Sequence, residues 1–234
     1  MELSLIQKIA VFALPVIFAI TLHEAAHGYV ARFFGDMTAA LQGRITLNPL
    51  KHIDPVGTIL VPLVILLTSK LLGGGAILFG WAKPVPVNFA QLRRPKQDML
   101  WVAAAGPGMN FVMAVFWALM IQLSYALGSD FFGEPLRWMG AAGVFINVIL
   151  MALNLIPLPP LDGGRIAVSL LPVKQAMQFA RLEPYGLFIL LGLMFSGILG
   201  TILWPLISLF IGLIALVTGL EPAQLIGLIQ VVLS

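Results

Sequence analysis

The sequence predicts an all-α polytopic membrane protein, and three observations carry that prediction. Of 234 residues, 60% are hydrophobic and only 10% are charged, against about 25% charged in a typical soluble domain. The mean hydropathy is +1.01, too apolar to cover a soluble globule of this size. The apolar residues also gather in runs, several near the ~20 residues that cross the hydrocarbon core. The expected architecture has about five to six transmembrane helices. A re-entrant or short β segment is expected between the first helix and a later Gly-Pro-x-x-Asn helix. The length suits one membrane-embedded domain, residues 1–234, with a core over about 5–172 and C-terminal helices over about 185–220. The net charge of +3 comes from basic residues in the loops, which reads as membrane topology and not as nucleic-acid binding. There are no cysteines, which excludes disulfides and thiolate-bound metal.

The first run, about Leu5 to Phe34, is long enough to span and carries His23, Glu24 and His27 in its second half. The preceding Met1–Ser4 has no basic n-region, so no cleavable signal is expected there. Residues 36–54 are polar and broken by Gly43 and Pro49, and Leu41 and Arg44 to Leu47 could make short strands. The second run, Val56 to Trp81, is interrupted by Pro62, Lys70 and Gly73-Gly74-Gly75, and admits one span, a hairpin or a re-entrant segment. A basic loop from Lys83 to Lys96 follows. The third run, about Met99 to Leu127, contains Gly106-Pro107-Gly108-Met109-Asn110, and the fourth covers Trp138 to Ile156. The proline-rich stretch Pro157 to Leu161 then leads into Asp162-Gly163-Gly164. Two more runs, about Tyr185 to Leu203 and Pro205 to Leu220, complete the bundle.

The loops holding Arg32/Arg44/Lys51, Lys83/Arg93/Arg94/Lys96 and Arg165/Lys174/Arg181 are basic, whereas the loop at 128–137 is acidic on balance. By the positive-inside bias the first three face the cytoplasm of a cell membrane. That topology brings His23, His27 and Asp162 toward the same, cytoplasmic side.

Two imidazoles and a carboxylate inside an apolar run demand a use, because hydrocarbon penalises all three. Residues four apart on a helix share a face, so neutral His23 and His27 can both ligate one tetrahedral zinc. Glu24 lies on a different face and can act as general base toward the water that such a zinc activates. The competing reading is a pair of satisfied core histidines. A catalytic zinc needs a third protein ligand and one open position. His52, the only other imidazole, sits in a polar loop and reads as loop packing. Asp162 is the better candidate: prolines keep its segment from forming a continuous helix, and two glycines permit close approach. Its alternative is a helix N-cap.

His23-Glu24-Ala25-Ala26-His27, Gly106-Pro107-Gly108-Met109-Asn110 and the stretch from Asn154 to Gly164 together resemble the site-2 protease family of intramembrane zinc metalloproteases. The resemblance covers roughly residues 10 to 170, and the absence of PDZ and CBS domains suits the family's compact branch. It implies one Zn²⁺ held by His23, His27 and Asp162, with Glu24 as catalytic base. The substrates would be membrane-spanning proteins, and the other partner the lipid bilayer. Asn110 could donate to the scissile carbonyl or oxyanion, or make a polar helix–helix contact. Asn154 could orient the Asp162 loop, line the groove, or cap backbone. A transporter or ion channel with a His/Glu/Asp ion site is the alternative function, though it has no need of a glutamate between two histidines at this spacing.

Overall fold

The computed structural model describes residues 3–61, 63–65, 80–128 and 131–234. The helices are α1 (Leu5–Phe33), α2 (Pro95–Leu127), α3 (Gly133–Asn154), α4 (Asp162–Leu170), α5 (Val173–Ala180), α6 (Gly186–Phe195), α7 (Ile198–Thr218) and α8 (Pro222–Leu233), with short helical turns between α1 and α2. Among the described residues no strand occurs. Among the described residues four helices, α1, α2, α3 and α7, are long and apolar enough to cross a membrane. Most of the run from Val56 to Trp81, and with it the choice between span, hairpin and re-entrant segment, lies outside the described residues. Its start is helical, Pro55–Leu60, and Asp54 caps it by accepting from the Val56 and Gly57 N–H groups.

Helix α1 begins with a capping box, in which Ser4 and Gln7 satisfy each other's backbone N–H groups. Pro95 and Pro222 open α2 and α8 at the first helical position, where a missing N–H costs nothing. Helices α1, α2 and α3 pack mutually and form the scaffold of the site. Lipid tails give helices no hydrophobic reason to associate, so close approach through small residues decides the packing. Helix α3 supplies that surface with buried Gly140, Ala141, Ala142 and Gly143. A β-carbon at Gly140 would lie 2.6 Å from Ile121 Cγ1 and 2.9 Å from the Trp117 carbonyl oxygen. Trp117, Ile121, Val144 and Val148 form a core that Ile211 and Ile214 of α7 and Leu225 and Ile229 of α8 extend. Helix α7 also exposes Trp204, Leu209 and Leu216, apolar groups suited to hydrocarbon.

The two C-terminal runs divide differently from the sequence expectation. Pro205 lies inside α7, and the break falls at Gly197, whose φ of +76° favours a residue without a β-carbon. Leu41 ends a short helical turn, Thr38–Leu41, Gln42–Leu47 is irregular in place of short strands, and the stretch that runs beside α1 is Trp81–Asn88, without helix or strand. Its placement follows from backbone bonds. Lys83 N–H donates to the His52 carbonyl (2.9 Å) and Arg93 N–H to the Phe34 carbonyl (3.0 Å). The second bond joins the end of α1 to the approach of α2.

If small residues set the α2–α3 distance, Gly140→Leu should destabilise the protein by about 1–3 kcal/mol, the usual cost of overfilling a packed contact. Denaturant unfolding in detergent followed by Trp fluorescence checks this, and an unchanged midpoint would contradict it.

Candidate metal centre

The site is built from α1, α2, α3 and the start of α4. His23 and His27 lie one turn apart on the buried face of α1, 8% and 9% exposed. From the last residue of α1, Phe33, His23 and His27 sit about 15 and 9 Å back along the helix at its ~1.5 Å rise. Asp162 opens α4 without capping it through its side chain. The turn that delivers it is tight, with Leu158, Leu161 and Gly164 N–H groups bonded to carbonyls two or three residues back. Gly163 and Gly164 are required there, because β-carbons would strike the Leu155–Ile156 and Leu158–Pro159 backbone.

Three ligand atoms converge. The Nε2 atoms of His23 and His27 are 3.1 Å apart, and Asp162 Oδ2 lies 3.2 Å from the first and 3.3 Å from the second. A tetrahedral zinc with ligands at ~2.0–2.1 Å requires edges of about 3.3 Å between ligand atoms, so the triangle has the size the ion needs. The protons point elsewhere. His27 Nδ1 is 2.7 Å from the Val102 carbonyl, which only accepts, so Nδ1 carries the hydrogen and a neutral ring leaves Nε2 bare. His23 Nδ1 is 2.5 Å from Asn110 Oδ1, with the same consequence. Asp162 Oδ2 is buried and has no well-formed hydrogen bond. A single shared proton could relieve only part of this arrangement, whereas a divalent cation in the centre satisfies all three atoms at once. Two imidazoles, one carboxylate and no thiolate form the donor set of a catalytic zinc site. The His23, His27 and Asp162 group is also the metal-compatible cluster found among the described residues.

The back of the site is Gly106 of α2. A β-carbon there would come within 2.5 Å of His23 Cε1 and 2.6 Å of His23 Nε2, and would also strike His27 Nε2. The Gly of Gly-Pro-x-x-Asn is thus the space in which the imidazoles sit.

Glu24, next to His23 in the chain, is half-buried. Its Oε2 accepts from Val85 N–H at 2.7 Å. The stretch bearing Val85 is held on both sides. Arg44 Nη2 donates to the Lys83 and Pro84 carbonyls, both at 3.1 Å. Asp36, fully buried, accepts from Asn88 N–H at 2.7 Å and Thr38 N–H at 2.9 Å. Val85 also packs toward Gly28, where an added β-carbon would lie 3.1 Å from its Cγ1.

The other sequence candidates have definite places. Asn110 is fully buried and touches His23, with its amide nitrogen bonded to Asn147 Oδ1 at 2.9 Å. Asn154 Nδ2 donates to the Leu150 carbonyl of its own helix at 2.9 Å. His52 is buried in the loop with Nε2 donating to the Thr46 carbonyl at 3.0 Å, apart from the cluster. Sequence reasoning missed Asn147, Asp36, Arg44 and the Val102 carbonyl. Asn147 alone left a direct signal, a polar residue in an apolar run.

The pattern of peptidase family M50 matches residues 130–197. The chain is 37% identical over 198 residues to "Putative zinc metalloprotease YwhC" of Bacillus subtilis, covering 83% of this chain and 84% of the relative. It is 30% identical over 207 residues to "Putative zinc metalloprotease Rip2" of Mycolicibacterium smegmatis, covering 86% of this chain and 74% of the relative. No solved structure matches it.

The contact at Gly106 gives a sharp test. Gly106→Ala should remove stoichiometric zinc from the purified protein, measured by metal analysis, while a folded helical spectrum is kept. Retention of one zinc per chain by this variant would contradict the geometry.

Proposed function

Because the chain belongs to peptidase family M50 and is a zinc metalloprotease of the site-2 protease type, we propose that it is an intramembrane endopeptidase. It hydrolyses peptide bonds in or near the transmembrane segments of other membrane proteins, and so serves regulated intramembrane proteolysis. The observation that carries this reading is the His23–His27–Asp162 triangle at a depth of ~9–15 Å below the end of a helix apolar enough to span. A protease acting on soluble chains has no use for a site so placed.

Under this proposal residues 1–234 are one membrane-embedded domain, with the catalytic core over about 5–172. His23, His27 and Asp162 hold the ion. Zinc supplies a fixed positive charge that polarises the scissile carbonyl and makes water nucleophilic at neutral pH. Glu24 takes the water's proton and passes it to the leaving amine. The Val85 N–H holds Oε2, which leaves the other carboxylate oxygen for proton transfer. Asn110 serves His23 through its oxygen, and Asn154 stays with its own helix. A helical substrate must unwind before its carbonyls are accessible. The non-helical stretch from Val85 to Asn88 lies beside Glu24, and Val87 keeps its backbone N–H without a partner among the described residues. An unwound segment can pair there.

The basic residues Arg32, Arg44, Lys83, Arg93, Arg94 and Arg165 lie around the end of the bundle where α1 finishes and α2 and α4 start. By charge bias that end, and the opening of the site, faces the cytoplasm of a cell membrane.

Purified protein in proteoliposomes with a single-span test substrate decides the matter. Glu24→Gln should keep one zinc and lose cleavage by about 10²–10⁴-fold, the usual contribution of a positioned proton-transfer group. Cleavage at the wild-type rate by that variant would sink the mechanism. A wild type that cuts soluble peptides but no spanning substrate would sink the intramembrane assignment.

A further inference from the structure

Asn147 lies in the middle of α3 and is fully buried. It belongs to none of the motifs that mark the site. A primary amide at this depth of a spanning helix is costly unless every group is used. Its Nδ2 donates to the Gly143 carbonyl at 2.8 Å, and its Oδ1 accepts from Asn110 Nδ2 at 2.9 Å. The same Asn110 nitrogen reaches the Ala19 carbonyl at 3.3 Å, and Asn110 Oδ1 stands 2.5 Å from His23 Nδ1.

The direction of this chain is fixed from its far end. A backbone carbonyl only accepts, so the Asn147 group facing Gly143 is the amino group. Its oxygen therefore faces Asn110. The Asn110 amino group faces that oxygen, which turns the Asn110 oxygen to His23. An amide oxygen cannot donate, so His23 Nδ1 carries the ring proton and Nε2 presents a lone pair to Asp162 and His27. Reversing any one amide would set two donors or two acceptors against each other, a loss that a low-dielectric interior does not screen.

We propose that Asn147 is a positioning residue for the metal centre, which acts through Asn110 to hold His23 in the tautomer that can ligate zinc. The proposal rests on the assignment of His23 as a ligand. His27 is an internal control, since its Nδ1 is fixed directly by the Val102 carbonyl and does not depend on Asn147.

In Asn147→Leu the Asn110 amino group loses its better acceptor and keeps only the longer contact to Ala19. The amide is then held in its orientation by that weaker contact alone, and the turned form, with its amino group toward His23 Nδ1, gains population. Two measurements on the full-length protein in detergent test this. Zinc affinity, by competition with a chromophoric chelator, should fall about 10–100-fold, the usual effect of removing a partner that orients a ligand. In zinc-free protein labelled with ¹⁵N-histidine, the His23 signals should shift from the Nδ1–H form toward the Nε2–H form, while those of His27 stay. Asn147→Asp is neutral in so buried a setting and keeps one donor and one acceptor, so it should restore both readouts. Asn147→Ala carries the same expectation as the leucine variant and decides the question if Asn147→Leu does not fold. Wild-type affinity together with an unchanged His23 tautomer in the leucine or alanine variant would overturn the relay. If His23→Ala binds zinc as tightly as wild type, the ligand assignment itself has failed, whatever Asn147 does.

Discussion

Three lone pairs are made to face one another in the interior of this protein. The nitrogens of His23 and His27 and one oxygen of Asp162 meet at 3.1–3.3 Å. Each imidazole proton is tied on the far side of its ring, to a backbone carbonyl in one case and an asparagine oxygen in the other. Such an arrangement is repulsive without a cation and favourable with one. In a medium of low dielectric both effects are strong. The fold therefore encodes the metal twice, in the distances between the ligand atoms and in the disposal of their protons.

The scaffold follows from that demand. Helix α1 brings two ligands and the glutamate. Helix α2 brings the gap at Gly106, the Val102 carbonyl and Asn110. The turn after α3 brings Asp162. These parts meet only because the helices approach closely, and glycine and alanine on α3 allow this against Trp117 and Ile121. The prolines from Pro157 to Pro160 stop α3, and the two glycines after Asp162 let the returning chain press against its own preceding turn. The Lys83–Asn88 stretch is fastened by Arg44, Asp36 and Glu24, so Glu24 is held by the segment that lies beside it.

The parts legible in the sequence are those whose signal fits in a short window. His23 and His27 share one helical face by spacing alone, and the apolar run around them makes their presence informative. Asp162 was legible because prolines and glycines mark a broken helix just after an apolar run. The spans of α1, α2 and α3 followed from run length. Other features have no sequence signature of that kind. The Val102 carbonyl is backbone and looks the same for any residue. Gly106 lay inside a recognised motif, yet its role as the space for two imidazoles appears only when α1 and α2 are packed. Pro205 reads as a break, but α7 continues through it, because a proline in a spanning helix is tolerated where neighbours and local adjustment satisfy the freed carbonyl. Asn147 was visible as a polar residue in an apolar run, and its meaning depends on a partner 37 residues away in sequence.

The most direct measurement of the central claim is X-ray absorption at the zinc edge on the purified protein. The account predicts one zinc per chain with a four-coordinate first shell of nitrogen and oxygen at about 2.0–2.2 Å, and the outer-shell scattering of two imidazoles. Substitution of His23 or His27 should reduce that outer-shell signal. A six-coordinate, all-oxygen shell without imidazole scattering would show that the zinc sits elsewhere, and would contradict the account.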